Sequence, residues 1–248
     1  MLLCANAALE ENKQRINELN VFPVPDGDTG TNMSLTMNSA AIELGRKQTD
    51  TVGAVADCAA SALLRGARGN SGVILSLLFR GFSKALKGLE QADGRDFAAA
   101  LTTGVEAAYK AVMKPAEGTI LTVSRLTADA ARDLAAEDRS IESVLAAAIP
   151  VAKAALDNTV NQNPVLKKAG VVDAGGMGFV VILEGMLSSL QGNDIVADES
   201  AAVNEQADFA EFDSEDITFA FDTVFIVRKS APDVSLEPLR LYLDSIGD

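Results

Sequence analysis

Residues 17–37 read NELNVFPVPDGDTGTNMSLTM. Pro23, Pro25, Asp26, Gly27 and Asp28 interrupt any helix through the middle of this stretch. Past Thr29 no further proline follows in this stretch, and a helix opens near residue 31. The break also places two carboxylates, Asp26 and Asp28, on either side of one glycine. Like charges that close repel unless a cation stands between them.

Outward from that break, residues 1–190 carry helical periodicity almost throughout. Val73, Ile74, Leu77, Leu78, Phe82 and Ala85 recur at three and four spacing, as do Phe97, Leu101, Val105, Ala108 and Val112. Eight helices are expected, opening near residues 2, 31, 51, 70, 95, 119, 140 and 174, with turn residues between them. Short connections favour antiparallel neighbours, so the expected fold is an all-α, eight-helix antiparallel up-down arrangement.

Every second helix start carries chemistry. At the first, Thr29, Gly30, Thr31 and Asn32 follow the aspartates, and free helix N–H groups favour an anion. At the second, RGARGNSG (65–72) offers Gly69 and Gly72 for close backbone approach, Arg65 and Arg68 for charge, and Asn70 and Ser71 as donors. It lacks the G-x-x-x-x-G-K-[ST] spacing of a P-loop. The third is EGTILTVSR (117–125), with Thr119. The fourth is AGVVDAGGMGF (169–179), with Asp173 and Gly175. Taken singly, each also reads as a turn with a helix cap. Taken together, four N-termini pointing one way converge on one rim, which suits a cation and a polyphosphate.

Oxygen-only ligands favour a hard ion, Mg2+ above others. The aspartate stretch fails as a calcium loop. With Asp26 as position 1, Thr31 stands where glycine is required and Met37 where the bidentate glutamate belongs.

Composition narrows the chemistry. The chain has 248 residues, 48% hydrophobic and 23% charged, and no histidine. Histidine-based triads, His-ligated zinc and a histidine general base are excluded. Two cysteines are too few for a disulfide framework and read as buried thiols in a reducing cytoplasm. No apolar run reaches transmembrane length and no secretory leader is visible. Net charge is −14, concentrated in residues 193–216, which hold nine acids and no Lys or Arg. No basic stripe with interleaved aromatics is present, so nucleic acid is not the expected partner.

LNVFPVPDGDTGTNMSLTM (19–37), LLRGARGNSGVILSLLFRGF (63–82) and NPVLKKAGVVDAGGMGF (163–179) resemble the N-terminal kinase domain of the bacterial fatty acid kinase family (FakA). That domain is similar to DhaL, the nucleotide-binding subunit of dihydroxyacetone kinases. The resemblance covers residues 1–190 and implies a DhaL-like eight-helix barrel binding ATP and Mg2+ at one rim. It implies that Asp26 and Asp28 chelate Mg2+, with Arg68 assisting transfer. Thr29, Gly30, Thr31, Asn32, Gly69, Asn70, Ser71, Gly72, Thr119, Asp173 and Gly175 would contact the nucleotide. DhaL carries a third aspartate upstream. Asn20 and Val21 stand nearest here, leaving the Asn20 amide oxygen as the candidate third ligand. Ala174 replaces the proline of the DhaL Asp-Pro-Gly turn.

Residues 191–216 read as an acidic linker, and ITFAFDTVFIV (217–227) alternates as a strand before a final helix. Residues 217–248 therefore read as the truncated start of a FakA-type middle domain, a short α/β segment. Asp222 stands where that family's strand carries a metal-binding cysteine. The resemblance implies a cytoplasmic kinase serving phospholipid synthesis. A FakB (DegV-like) protein would present the fatty acid, and the full-length protein would be a homodimer. A carboxylate acceptor is already ionised at pH 7 and requires no general base, which agrees with the missing histidine. Dihydroxyacetone phosphotransfer and nucleotide binding without catalysis are the competing readings.

Overall fold

The computed structural model describes residues 1–136, 140–193 and 235–246. The chain divides into two compact units, Met1–Glu205 and Gln206–Asp248.

Every described element of the first unit is helical. The eight long helices are α1 (Leu2–Glu11), α3 (Thr29–Arg46), α4 (Val52–Gly66), α5 (Gly69–Ala85), α6 (Gly94–Ala111), α7 (Ile120–Leu134), α8 (Ile141–Asp157) and α11 (Ala174–Leu190). Three short helices were not expected from the sequence: α2 (Lys13–Glu18), α9 (Thr159–Gln162) and α10 (Pro164–Ala169). Helices of one or two turns are too short to carry a periodic signal, and α10 depends on a local cap. Asn163 accepts the Val165 N–H at 2.9 Å, and Pro164 takes the first helical position.

Each long helix packs on the next, and α11 returns to α1, closing the ring as an antiparallel barrel. The closure is tight. A Cβ at Gly185 of α11 would lie 2.7 Å from the Ala5 Cα of α1, so the two backbones meet without a side chain between them. Helix α11 is buried on most of its circumference, including Phe179, Val180, Ile182, Leu183 and Met186. A helix apolar all round belongs inside. It contacts α1, α3, α7 and α8. Leu9, Ile16, Met33, Leu75, Leu121 and Leu145 complete the core around it. Each such side chain contributes about 1.5–3 kcal/mol by leaving water.

In the second unit the described residues form α12 (Glu237–Ile246). The strand expected at 217–227 and nearly all of the linker lie outside the described residues. Among the described residues, no helix is long and apolar enough to cross a membrane.

Candidate functional site

Helices α3, α5, α7 and α11 start at the same end of the barrel. Arg68, just before α5, donates its N–H to the Thr36 hydroxyl of α3 at 3.1 Å. A Cβ at Gly175, in the first turn of α11, would meet the Ile120 side chain at the start of α7 at 3.4 Å. A Cβ at Gly178 would meet Met33, one turn into α3. The four motif-bearing turns therefore share a rim, but as two pairs: the first with the second, the third with the fourth.

The first pair is an opening in two helices. Asp28 stands at the N-cap of α3, yet its side chain accepts no capping hydrogen bond. Asn20 accepts the Thr29 N–H at 3.1 Å and bonds the Thr29 hydroxyl as well. Asn17 accepts the Thr31 N–H at 3.0 Å and donates back to the Thr31 hydroxyl at 3.0 Å. So the Asn20 amide oxygen, expected on a metal, accepts hydrogen bonds from the start of α3. Thr29 and Thr31, expected on phosphate, are engaged inside the protein. Gly30 faces the preceding helix, where a Cβ would collide with the Lys13 carbonyl oxygen.

Asp26 lies beside Asp28. Burial raises the Asp26 pKa, and the neighbouring Asp28 charge and carboxyl–carboxyl hydrogen bonding raise it further, against backbone N–H bonds that lower it. Burial with a like charge is the arrangement a cation relieves. Two carboxylates with no third His, Cys, Asp or Glu clustered near them among the described residues make an incomplete cation shell. Such a donor set fits Mg2+, which keeps waters and takes one or two carboxylates plus phosphate oxygens.

Packed against Asn32 and Thr36 of α3, α5 begins without a side-chain cap; Arg68 holds its N-cap position. Arg68, Gly69 and Asn70 are exposed and Ser71 is half-buried. Gly69 has φ +56°, and a side chain there would strike the Asn32 amide. Gly72 is buried against Thr36, whose hydroxyl also donates to the Asn32 carbonyl at 2.6 Å. Thr36, which sequence reasoning passed over, thus ties the two motifs together. The uncapped N–H groups of α5 offer the anion site that α3 does not.

The second pair is closed. Asp173 is 5% exposed. Its carboxylate accepts the Gly176 N–H at 2.7 Å and an N–H from Ile120, capping α11 and α7 together. Burial pushes its pKa up to about 6, against those two N–H bonds. Its own N–H donates to the Thr159 hydroxyl at 3.0 Å. Gly175 is buried beside it. Thr119 caps α7 loosely, accepting the Leu121 N–H at 3.4 Å, and donates to the Ala116 carbonyl at 2.7 Å. With so little of Asp173 exposed, its carboxylate faces the two helix starts and not the solvent.

The turn before α7 is clamped. Glu117 accepts from Arg125 at 2.8 Å, from Thr122 at 2.7 Å and from the Tyr109 hydroxyl at 3.1 Å. Burial alone would raise the Glu117 pKa; these hydrogen bonds overcome it and hold the carboxyl below its ordinary value. The Thr122 hydroxyl also accepts the Gly118 N–H at 2.9 Å.

The chain is 45% identical over 236 residues to Protein YloV of Bacillus subtilis, covering 92% of this chain and 43% of that protein. It is 44% identical to an uncharacterized protein of Staphylococcus saprophyticus, covering 92% of this chain and 42% of the relative. A third relative, from Staphylococcus aureus strain USA300, is 42% identical over the whole chain and 47% of its own length. The chain therefore spans less than half the length of these curated relatives. Among solved structures it is similar to the dihydroxyacetone kinase of C. freundii, native form. The TM-score is 0.59 at 20% identity, over 76% of this chain and 33% of that one, which establishes a shared fold. A model of the DAK2 domain matches residues 23–188, and with that match the chain belongs to the DAK2 domain family.

Proposed function

We propose that this chain is an ATP- and Mg2+-dependent kinase domain that transfers the γ-phosphoryl group to a fatty acid carboxylate. A FakB-like (DegV-like) binding protein presents the acceptor, and an acyl phosphate is the product. One observation carries the reading: Asp28 stands at the N-cap of α3 without capping it, and the uncapped start of α5 packs against Asn32 and Thr36 of that same helix. The first suits a divalent cation and the second a phosphate, so their juxtaposition suits a metal–nucleotide complex.

Asp26 and Asp28 would hold Mg2+, which when bound neutralises charge on the phosphate oxygens. The N–H groups at the start of α5, with Asn70 and Ser71, orient the phosphates. Arg68 lies exposed beside them, where it can meet charge developing on the transferred group. The acceptor carboxylate oxygen attacks the γ-phosphorus, the bond to the β–γ bridging oxygen breaks, and ADP leaves. No proton moves, so no base is required, in keeping with a chain that has no histidine. Dihydroxyacetone as acceptor is the competing reading, favoured by the fold shared with the C. freundii enzyme.

Calorimetric titration of Asp28→Asn with Mg-ATP tests the site. Binding should weaken by roughly tenfold or more, about 1.4 kcal/mol; unchanged affinity removes the metal assignment. Incubation with ATP and a lipid-loaded DegV-like protein, trapping acyl phosphate as hydroxamate, tests the acceptor. Phosphorylation of dihydroxyacetone with no hydroxamate would decide for the competing reading.

A further inference from the structure

An aspartate at a helix N-cap ordinarily accepts the N–H of the second or third helical residue. Asp28 holds that position for α3 and does not do so. Of the two N–H groups it would use, that of the third helical residue is already taken, and the first helical N–H beside them is taken as well. Thr31 N–H, the natural partner, goes to Asn17 Oδ1 at 3.0 Å, and Thr29 N–H goes to Asn20 Oδ1 at 3.1 Å. Both asparagines are anchored at their other end. Asn17 Nδ2 donates to the Thr31 hydroxyl at 3.0 Å, and Asn20 Nδ2 donates to the Val24 carbonyl at 2.6 Å. Asn20 is 4% exposed, so neither its donor nor its acceptor faces water. The absence of a side chain at Gly30 lets α2 approach closely enough for this, since a Cβ there would also lie 2.9 Å from Asn17 Oδ1.

We infer that Asn17 and Asn20 are positioning residues: they cap α3 from the preceding segment and so keep the Asp28 carboxylate off the helix end and available to a cation. The cation half of this rests on the function proposed above; the capping half does not. A carboxylate used as a cap would have its charge answered by N–H groups and would be a poorer metal ligand. The asparagines do the capping with neutral amides, which add no charge beside Asp26 and Asp28. Asn20 accordingly supports the metal pair without touching the ion.

The test is a stability cycle joined to a binding measurement. Asn17→Ala frees the Thr31 N–H, and Asp28 then turns in to cap it. Asp28→Ala should therefore lower the metal-free melting temperature by about 2–4 °C more in the Asn17→Ala background than in the parent. Equal shifts in both backgrounds would mean that Asp28 is never recruited, and would overturn the proposal. In parallel, Asn17→Ala and Asn20→Ala should each weaken Mg-ATP by about fivefold or more, with Asn17→Ser recovering part of the loss. Lower melting temperature at unchanged Mg-ATP affinity would reduce both residues to structural caps and overturn the positioning role. Should Asn20→Ala not fold, the Asn17 cycle alone decides. Should the parent bind no Mg-ATP at all, the cation reading fails, while the metal-free cycle still decides the capping.

Discussion

Asp173 and Ile120 belong to different helix starts, and one carboxylate serves both. Asp173 accepts the Ile120 N–H while also holding the Gly176 N–H at 2.7 Å. Sealed from water, it carries a pKa of about 6 against an ordinary 3.8. A raised folded-state pKa means that the native state binds the proton more tightly than the unfolded chain. The resulting stabilisation is complete below the ordinary pKa and is lost as pH rises through about 6. The full loss is on the order of 3 kcal/mol. Asp173→Asn is neutral at every pH. Its melting temperature relative to the parent should therefore climb between about pH 4 and pH 7, whatever the offset at pH 4. Thermal melts across that range check it, and a flat difference would show that Asp173 titrates as an ordinary carboxylate.

Gly69→Ala should be among the costlier single substitutions at the rim. Its φ of +56° disfavours a side chain, and the new Cβ would strike the Asn32 amide. The combined cost is about 2–4 kcal/mol. Urea denaturation measures it. Gly45→Ala is the control: it sits within α3 with nothing near its missing Cβ, and the change should be neutral or slightly stabilising.

Much of this arrangement was legible in the sequence. Eight long helices and their alternating direction follow from apolar spacing and from turns such as RGARGNSG. What the sequence did not disclose is which polar group each helix start uses. Asp28 and Asp173 look alike on the page in one respect, each standing immediately before a glycine-containing helix start. The structure buries one between two helices, while at the other Asn17 and Asn20 take the N–H groups of the α3 start and Asp28 caps nothing. That difference depends on contacts between helices, which spacing within one helix does not encode. Asn17 and Asn20 did offer a faint signal: two asparagines stand just ahead of the motif, one at the end of α2 and one beyond it.

The Glu117 clamp separates stability from binding. Glu117 and Arg125 side chains are 51% and 40% exposed, so Glu117→Gln should change unfolding free energy by less than about 1 kcal/mol. The same change loosens the turn that carries Gly118 and Thr119, where the Thr122 hydroxyl links Glu117 to the Gly118 N–H. Mg-ATP affinity should fall several-fold at nearly constant melting temperature. A fall in melting temperature with affinity preserved would make the clamp a purely structural brace.

Arg68 and Arg65 give the sharpest separation of phosphoryl-transfer chemistry from general surface charge. Both are exposed on the glycine-rich turn. Arg65 lies 3.9 Å from Glu43 and Arg68 does not share that partner; its guanidinium donates to the adjacent Ala67 carbonyl at 3.4 Å. Arg68 also immediately precedes α5, so its side chain leaves the chain at the uncapped helix end. Removing a donor that meets charge in the transition state typically costs about 10²–10³ in kcat. Arg68→Ala should show a loss of that order in phosphoryl transfer with its melting temperature held, since the Thr36 bond uses the backbone N–H and survives the substitution. Arg65→Ala removes a similar positive charge a turn away and should reduce turnover by only a few-fold, through weaker attraction of the anionic substrate. Raising the ionic strength should erase the Arg65 effect and leave the Arg68 effect standing, because screening acts on long-range attraction more than on a direct contact. Equal losses for the two variants at high salt would assign both arginines to steering and leave the transferred phosphate to the α5 N–H groups alone.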